Sequence, residues 1–453
     1  MREQYKHLLN FTANLVTIII DAVLFGTIWY QYYSGLEKGL GAATQYFRRG
    51  NWAVIAMYIL IIFGFTHIMG GYRIGYMRVT DIILSNILSL VLGNVVGFFE
   101  LCLICRFYVN PLPLFYVFLA EAAFSIVWNL LVRRAYKSLY PPRQMILVYG
   151  DYAPDELIKK INSRKDKYNI CNTVSCEIGA GVFEVIKEYQ AVVLSDLPAE
   201  TRNDILKFCY EQGIRTYVTP KITDIILRKS DDIHLFDTPL YLSRNNGLSI
   251  DQRFFKRIMD IIVSLIGIVI ASPFMLIIAI AIKAYDGGPI FYKQERLTRN
   301  QKPFTIYKFR SMTTKSEDKG ARLCAKDDVR VTPVGNIIRN IHFDELPQLF
   351  NILVGDMSVV GPRPERQVIA DEYMTQIPEF AFRTKVKAGL TGYAQVWGKY
   401  NTTPYDKLKM DITYIENYSI WLDIKLILLT VKILFVKENT EGVDATQVTA
   451  LKK

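Results

Sequence analysis

Four apolar stretches in the first third of the chain dictate its solvent. They are FTANLVTIIIDAVLFGTIWYQYY (11–33), WAVIAMYILIIFGFTHIM (52–69), DIILSNILSLVLGNVVGFFELCLICRF (81–107) and PLFYVFLAEAAFSIVWNLLV (113–132). Each approaches the roughly 20 residues a helix needs to cross a bilayer, where every backbone N–H and C=O must be satisfied within the segment. Asp21, Glu100 and Glu121 interrupt these runs. They would be costly in lipid, so they are expected at helix interfaces or near the headgroups. Orientation follows from Lys and Arg. Arg2, Lys6, Arg73, Arg78, Arg133, Arg134, Lys137 and Arg143 flank one side, against Lys38, Arg48, Arg49 and Arg106 on the other. That bias puts both ends of a four-span block, 1–140, in the cytoplasm. The first run lacks a small-residue cleavage site and more spans follow, so it is read as a span and not a cleaved signal.

Charge narrows the partners. The chain carries a net charge of +11 over 453 residues, which suits anionic lipid surfaces and phosphates. No domain is dominated by a basic stripe and no nucleic-acid motif appears, so nucleic acid is not an expected partner. Cys102 and Cys105 have CxxC spacing but sit in an apolar stretch without nearby histidine, which reads as buried free thiols. The four histidines, His7, His67, His234 and His342, exclude a His-rich metal site.

From Met145 the pattern becomes that of a soluble α/β domain, 141–245. MILVYGD reads as a buried strand, AVVLSDLP and RTYVTP as a second and third strand, and PDELIKKINSRKDKY and AETRNDILKFCYEQGI as the helices between them. That alternation predicts a parallel, Rossmann-like sheet. Its first turn, VYGDYAPDEL, has one glycine, where close approach to a dinucleotide pyrophosphate needs several. The domain is therefore read as degenerate, structural or regulatory. The run 261–282 that follows is long enough to span, but Ser272-Pro273 stands at its middle. Proline removes a backbone hydrogen bond and disfavours helix before it. Either a kinked span or a re-entrant helix–break–helix over about 258–283 fits. A last apolar run, IWLDIKLILLTVKILFV (420–436), is broken by Asp423, Lys425 and Lys432. It fits an interfacial helix or a core helix equally.

Chemistry concentrates in 252–453. In HFDELPQLFN (342–351) two carboxylates, Asp344 and Glu345, are adjacent. Neighbours on a helix diverge by about 100°, so the two suit different tasks and not a shared proton. Pro347 is tolerated only in a first turn, which puts the acids at a helix start, where the ionised form is favoured. Asp344 is then available as a nucleophile and Glu345 as an oxygen ligand for Mg²⁺; an ordinary acidic N-terminal turn is the alternative. Around them lie Lys308 and Arg310, two apart and on one face if in a strand, then Asp328, Arg330 and Arg339, then Arg363 held stiff between Pro362 and Pro364, and Lys385 and Lys387 in a glycine-bearing loop. Acids for a metal among scattered guanidiniums are what phosphoryl transfer requires.

GPIFYKQERLTRNQKPFTIYKFRSM (288–312), RNIHFDELPQLFNILVGDMSVVGPRPE (339–365) and GLTGYAQVWGKY (389–400) resemble the bacterial sugar transferases, monotopic polyprenol-phosphate phosphoglycosyltransferases. The resemblance implies a mixed, mainly α-helical catalytic domain at the bacterial inner membrane, facing the cytoplasm. It implies transfer of a hexose-1-phosphate, glucose or galactose, from a UDP-sugar to undecaprenyl phosphate, with release of UMP, in capsule, exopolysaccharide or O-antigen synthesis. It implies Mg²⁺ and an aspartyl-phosphosugar intermediate on Asp344, with Glu345 at the metal. Arg363, Lys308, Arg310, Arg339 and Gln348 are carried over as phosphate or substrate contacts, and Ser272-Pro273 as the re-entrant break. The family usually has glycine at the positions of Thr298 and Gln301 and proline at that of Ala388. With four spans and an inside N-terminus, Asp344 faces cytoplasmic UDP-sugar only if 261–282 turns back. The Ser272 hydroxyl is an expected partner for backbone freed there. Membrane lipids are expected partners, and small and polar residues in the spans are compatible with a homodimer. Rival readings are a nucleotide-sugar dehydratase or epimerase using the α/β domain, and a non-enzymatic scaffold.

Overall fold

The computed structural model describes residues 4–34, 48–150, 154–243, 247–313, 330–398 and 402–434. Lys38, Asp328 and residues 151–153 of the first α/β turn lie outside these. The chain divides into two units, Met1–Thr219 and Pro220–Lys453.

The first unit opens with helices α1 (Gln4–Ile28), α2 (Arg48–Met69), α3 (Val79–Cys105) and α4 (Leu112–Leu139). All are long and apolar enough to cross a membrane. Asp21, Glu100 and Glu121 are buried. Glu121 accepts a 3.0 Å hydrogen bond from Tyr58 Oη, so that carboxyl is held inside the bundle, away from lipid. Helices α2 and α3 meet closely at Gly93, where an added Cβ would lie 2.2 Å from Ile62 Cδ1.

A parallel α/β layer follows: β1 (Arg143–Tyr149), α5 (Asp155–Asn162), β2 (Tyr168–Ser175), α6 (Gly181–Lys187), β3 (Ala191–Ser195), α7 (Ala199–Glu211) and β4 (Arg215–Val218). Strand order is β2-β1-β3-β4, with every pair parallel. The two faces of β1 and β3 bury separately. Ile146, Val148, Val192 and Leu194 pack on α6 and α7; Met145, Leu147, Ala191 and Val193 pack on α5. Strands covered on both faces read as unbroken apolar runs, which is why these were visible in the sequence. Edge strand β2, YNICNTVS, lacks that run and is an addition to the sequence reading.

In the second unit, α8 (Ile222–Leu227), β5 (Asp231–Leu235) and β6 (Thr238–Leu242) come first. Residues 220–243 were assigned from sequence to the middle domain. They belong here because Ile222 and Ile225 bury against Tyr373, Phe380, Leu408 and Ile412. Next are α9 (Ile250–Asp286), hairpin β7 (Phe291–Leu297) and β8 (Pro303–Phe309), α10 (Pro333–Asn340), α11 (Gln348–Val354), β9 (Ser358–Val360), α12 (Gln367–Gln376), β10 (Gly389–Thr391), α13 (Tyr393–Trp397), α14 (Pro404–Glu416) and α15 (Ile420–Leu434).

Helix α9 runs 37 residues without interruption and contains Pro273, which corrects the expected helix–break–helix at Ser272-Pro273. The reason is local. A helical proline leaves the carbonyl four residues earlier without its N–H donor. That carbonyl belongs to Val269, and Ser272 Oγ donates to it at 2.9 Å. The hydroxyl supplies the missing donor, and the helix continues.

The first half of helix α9 is polar inside and apolar outside, while its second half buries Ala271, Ile278 and Ile282. Lys256, Asp260 and Ser264 are buried at i, i+4 and i+8, one helical face. Lys256 Nζ lies 2.6 Å from Asp423 on α15, and Tyr414 Oη donates to the same carboxylate at 2.8 Å. Asp260 Oδ1 accepts from Ser358 Oγ and from Val359 N, both at 2.9 Å. Arg257 donates to the carbonyls of Ile352 and Leu353, both at 2.7 Å, capping the C-terminus of α11. Lys256→Ala leaves Asp423 buried with one partner gone, and is expected to cost about 3–5 kcal/mol. Lys256→Met with Asp423→Leu should recover most of that loss; thermal unfolding of the purified chain in detergent measures both.

Candidate active site

The acid pair stands on a single 3₁₀ turn, Phe343–Glu345, and not inside the first turn of a longer helix. His342 enters it at φ 58°, a left-handed conformation that a non-glycine residue adopts at a cost. Pro347 then starts α11, where its missing N–H is harmless. Phe343 and Leu346 pack with Ile278, Ile282, Phe309 and Ile338. The two apolar residues that bracket Asp344 and Glu345 thus anchor the turn on α9, β8 and α10.

Asn351 fixes the turn against β8. Its Nδ2 donates to Thr305 O at 2.7 Å and its Oδ1 accepts from Tyr307 N at 3.0 Å. The side chain occupies the place of a neighbouring strand and brings α11 alongside Lys308. Lys308 Nζ donates to Glu345 Oε1 at 2.6 Å, and Arg363 Nη2 donates to the same oxygen at 2.8 Å. Asp344 makes no hydrogen bond or ion pair among the described residues.

The two carboxyls diverge electrostatically. Burial alone would raise Glu345, but the charges of Arg363 and Lys308 and their hydrogen bonds overcome it and hold Glu345 well below the usual carboxylate range. Burial raises Asp344, and the negative charge of Glu345 raises it further. Lys308, Arg339 and His342 offset only part of this, so Asp344 lies above its ordinary 3.8. In turn the Glu345 charge pushes the Arg363 guanidinium upward.

Arg363 sits where two backbone segments touch. Strands β9 and β10 run parallel; Gly361 N donates to Thr391 O at 2.8 Å and Gly389 N to Pro362 O at 2.9 Å. A Cβ at Gly361 would lie 2.4 Å from Lys387 O, and one at Gly389 2.1 Å from Gly361 N, so this contact requires glycine on both sides. Arg383 Nη2 donates to Arg363 O at 2.9 Å and pairs with Asp411 at 2.9 Å. Arg296 Nη1 donates to Pro364 O at 3.1 Å. The loop is clamped, while the Arg363 side chain stays 51% exposed.

The other basic candidates are placed differently. Arg310 is buried just past β8 and is tied to Asp286 at the end of α9; its Nη1 has no hydrogen-bond partner among the described residues. Arg339, in the last turn of α10, is close enough to bias Asp344 and has one buried nitrogen without a partner among the described residues. Gln348 is buried at the start of α11. Lys387 Nζ donates to Gly355 O at 2.6 Å, and Lys385 lies over the Phe382 ring at 5.3 Å. Sequence reasoning missed Asn351, Arg296, Arg383 and Asp411. Asp411 could have been suspected, since it falls on the buried stripe of α14 with Leu408, Ile412 and Ile415.

As for a metal, both Asp344 oxygens and Glu345 Oε2 have no hydrogen-bond partner among the described residues. Among those residues no group of three or more His, Cys, Asp and Glu gathers. Two carboxylate ligands, with the rest supplied by water and phosphate, match the habit of Mg²⁺.

The departures at 298 and 388 are chemically linked. Ala388 N donates to Thr298 Oγ1 at 3.2 Å, and Thr298 Oγ1 donates to Asp356 O at 2.9 Å. Glycine at 298 would have no hydroxyl, and proline at 388 would have no N–H to need one. Gln301, where glycine is usual, has φ 58°. Thr298→Gly alone is expected to cost about 1–2 kcal/mol, because it strands the buried Ala388 N–H. Adding Ala388→Pro should remove part of that loss, giving a coupling of about 1 kcal/mol in a double-mutant cycle of unfolding free energies.

The family model described as "Bacterial sugar transferase" matches residues 251–437. The chain is 43% identical over 182 residues to a UDP-N-acetylgalactosamine-undecaprenyl-phosphate N-acetylgalactosaminephosphotransferase of Aeromonas hydrophila, covering 40% of this chain and 43% of that protein. It is 43% identical over 204 residues to a UDP-glucose:undecaprenyl-phosphate glucose-1-phosphate transferase of Klebsiella pneumoniae, covering 44% and 42%. The matched segment thus spans about two-fifths of each of these relatives. An uncharacterized sugar transferase of Bacillus subtilis, EpsL, is 38% identical over 186 residues, which is 41% of this chain and 90% of that protein. Nearly the whole of that relative therefore aligns with this chain, and the chain belongs to the bacterial sugar transferase family.

Proposed function

We propose that this chain moves a hexose-1-phosphate from a UDP-sugar to undecaprenyl phosphate and releases UMP. The observation that carries the reading is the asymmetry of the acid pair. Glu345 is held ionised by Lys308 and Arg363, while its neighbour Asp344 keeps both oxygens unbonded among the described residues. A carboxylate with free lone pairs can attack; one already paired with two cations serves electrostatics. The relatives' own substrates, UDP-glucose and UDP-N-acetylgalactosamine with undecaprenyl phosphate, support the substrate classes. Glucose or galactose is the favoured sugar, with a role in capsule, exopolysaccharide or O-antigen assembly.

In the first step an Asp344 oxygen bonds to the phosphorus that bears the sugar. The pyrophosphate P–O bond breaks, and UMP leaves with the bridging oxygen. In the second step a phosphate oxygen of undecaprenyl phosphate attacks that phosphorus, the bond to Asp344 breaks, and the free carboxylate returns. Lys308 and Arg363 are the cations within reach of phosphate oxygens, and Arg363 is pre-organised by the backbone clamp of Arg383. Mg²⁺, held by Glu345 with Asp344 beside it, would neutralise the pyrophosphate.

The raised Asp344 has a direct consequence. Only its ionised form is a nucleophile, so the rate falls as pH drops through a value above the ordinary 3.8. Asp344→Asn is expected to abolish lipid-dependent UMP release from purified protein supplied with undecaprenyl phosphate, Mg²⁺ and UDP-sugars; normal turnover would sink the assignment. Glu345→Gln should reduce activity strongly. It should also move the acid limb of the residual activity to lower pH, since a neighbouring negative charge is gone. Release of UDP in place of UMP would refute the phosphosugar scheme.

Helix α9 is read as bending at Pro273 within its continuous length, and so as entering and leaving on the cytoplasmic face. What supports this is that both of its ends pack on one catalytic unit: Arg257 and Asp260 near its start on α11 and β9, and Ile278 and Ile282 near its end with Phe309 and Ile338. A straight span would carry one end about 30 Å from the other across the hydrocarbon. Cysteines at the exposed positions Ile250 and Tyr285 should both react with an impermeant maleimide from the cytoplasmic side only. Labelling from opposite sides would make α9 a span.

A further inference from the structure

The first unit holds a cavity of about 380 Å³ that the reaction does not use. Its walls come from two sources. The bundle supplies the start of α1, the α2–α3 connection and the last turns of α4; the α/β layer supplies the N-terminal ends of its strands. Six cations line it: Lys6, Arg133 and Lys137 from the bundle, and Arg143, Lys167 and Arg215 from the sheet. The single lining carboxylate, Asp166, is bound to Arg164 at 3.0 Å. Among the described residues Lys6, Arg133, Lys137 and Lys167 form no ion pair.

This convergence needs an explanation. Charge bias at membrane helix ends accounts for Lys6, Arg133 and Lys137. It does not account for three more cations brought to the same space by a soluble sheet. Burial, and then the charges of Lys6 and Arg164, lower Lys167 to about 8. Burial and the charge of Arg215 likewise lower Arg143. Like charges held together in a cavity of ligand size are stabilised by a bound anion.

The rest of the lining narrows the anion. Lys6 lies over the Tyr136 and Tyr140 rings at 5.4 and 5.8 Å, and Lys167 over Tyr76 at 4.2 Å. Arg164 Nη1 also donates to Tyr76 O at 3.1 Å, pinning the sheet to the bundle beside the cavity. Ile74, Val79, Ile82 and Val132 give an apolar wall on the bundle side. We propose that this cavity binds a phosphate group attached to an apolar or aromatic body, from an anionic lipid headgroup or a soluble nucleotide, and that the occupant bridges the bundle and the parallel sheet. The site lies at the N-terminal ends of the strands, opposite the strand ends at which parallel α/β sheets hold nucleotide cofactors.

Thermal unfolding of the full-length chain, delipidated in neutral detergent, tests this with three probes: inorganic phosphate, UMP and dioctanoyl phosphatidic acid, with dioctanoyl phosphatidylcholine as control. At a hundredfold excess over Kd a probe should raise Tm by on the order of 5 °C. Lys137→Gln with Lys167→Gln should lose that rise, while Lys137→Arg with Lys167→Arg should keep it. Because the acid-pair site also handles phosphates, the informative rise is one that survives Arg363→Gln. A rise with phosphatidic acid alone assigns the cavity to a lipid; a rise with UMP or phosphate assigns it to a soluble ligand. No rise with any probe overturns the proposal, as does an equal rise in wild type and the glutamine pair. Should the glutamine pair fail to fold, Lys137→Gln alone, at an exposed position, must lose part of the rise or the proposal falls.

Discussion

The polar face of α9 is the constraint on which the second unit depends. In water a helix buries its apolar stripe. Here Lys256, Arg257 and Asp260 turn inward, while Phe254, Phe255, Ile258, Ile262, Leu265 and Ile266 are exposed. Each inward residue reaches a different element: Lys256 takes α15, Arg257 the end of α11, and Asp260 the start of β9. Remove the row and the three elements that carry the acid turn and the Arg363 loop lose their common strut. The inversion has a solvent logic. In lipid, apolar surface is free to face outward, and polar contacts are the specific glue between helices.

Two adjacent carboxylates acquire opposite character because the backbone points them at different neighbours. Glu345 meets Lys308 and Arg363 and becomes the fixed negative charge of the site. That fixed charge, together with burial, keeps Asp344 above its ordinary value. The cations therefore do two jobs through one oxygen. They stabilise Glu345, and they stand beside Asp344 without neutralising it by a hydrogen bond. In the proposed reaction an incoming pyrophosphate would compete with Glu345 for the same guanidinium and ammonium groups, which would link donor arrival to the electrostatics of Asp344.

The legible parts of the chain were those governed by periodicity or by single-residue stereochemistry. The four apolar helices, the buried strands β1 and β3, strand β4 and the stiff backbone around Arg363 all fall in this class. Illegible were the features set by long-range partners. Strand β2 is a polar edge whose identity depends on pairing with β1. Helix α8 fell within the α/β domain in the sequence reading because nothing in the local sequence ITDIIL reveals Tyr373 or Leu408 beneath it. Asn351, Arg296 and Arg383 act on backbone carbonyls or amides remote in sequence, and no spacing rule marks such contacts. Proline at 273 was read as a break because the rule concerns the lost N–H; the remedy, one residue earlier, was visible in Ser272.

Helix α15 shows how the same logic resolves an ambiguity that composition leaves open. Its charges look like interruptions of an apolar span, and the sequence fits a core or an interfacial helix alike. In the structure Asp423 and Lys432 are among its buried residues, with Leu426 and Leu429 between them, whereas Trp421 is 76% exposed. The charge in the apolar run is thus the docking contact, since Asp423 is the partner of Lys256 on α9. Two helices meet by an ion pair on the inside and turn large apolar side chains outward. A water-soluble enzyme would gain nothing from that arrangement, because the outward area stays hydrated and the buried ions must still be desolvated. It is favourable only where the outward faces lie against lipid, the solvent for which α9 is long and apolar enough, so the ion pair between α9 and α15 is itself suited to that solvent.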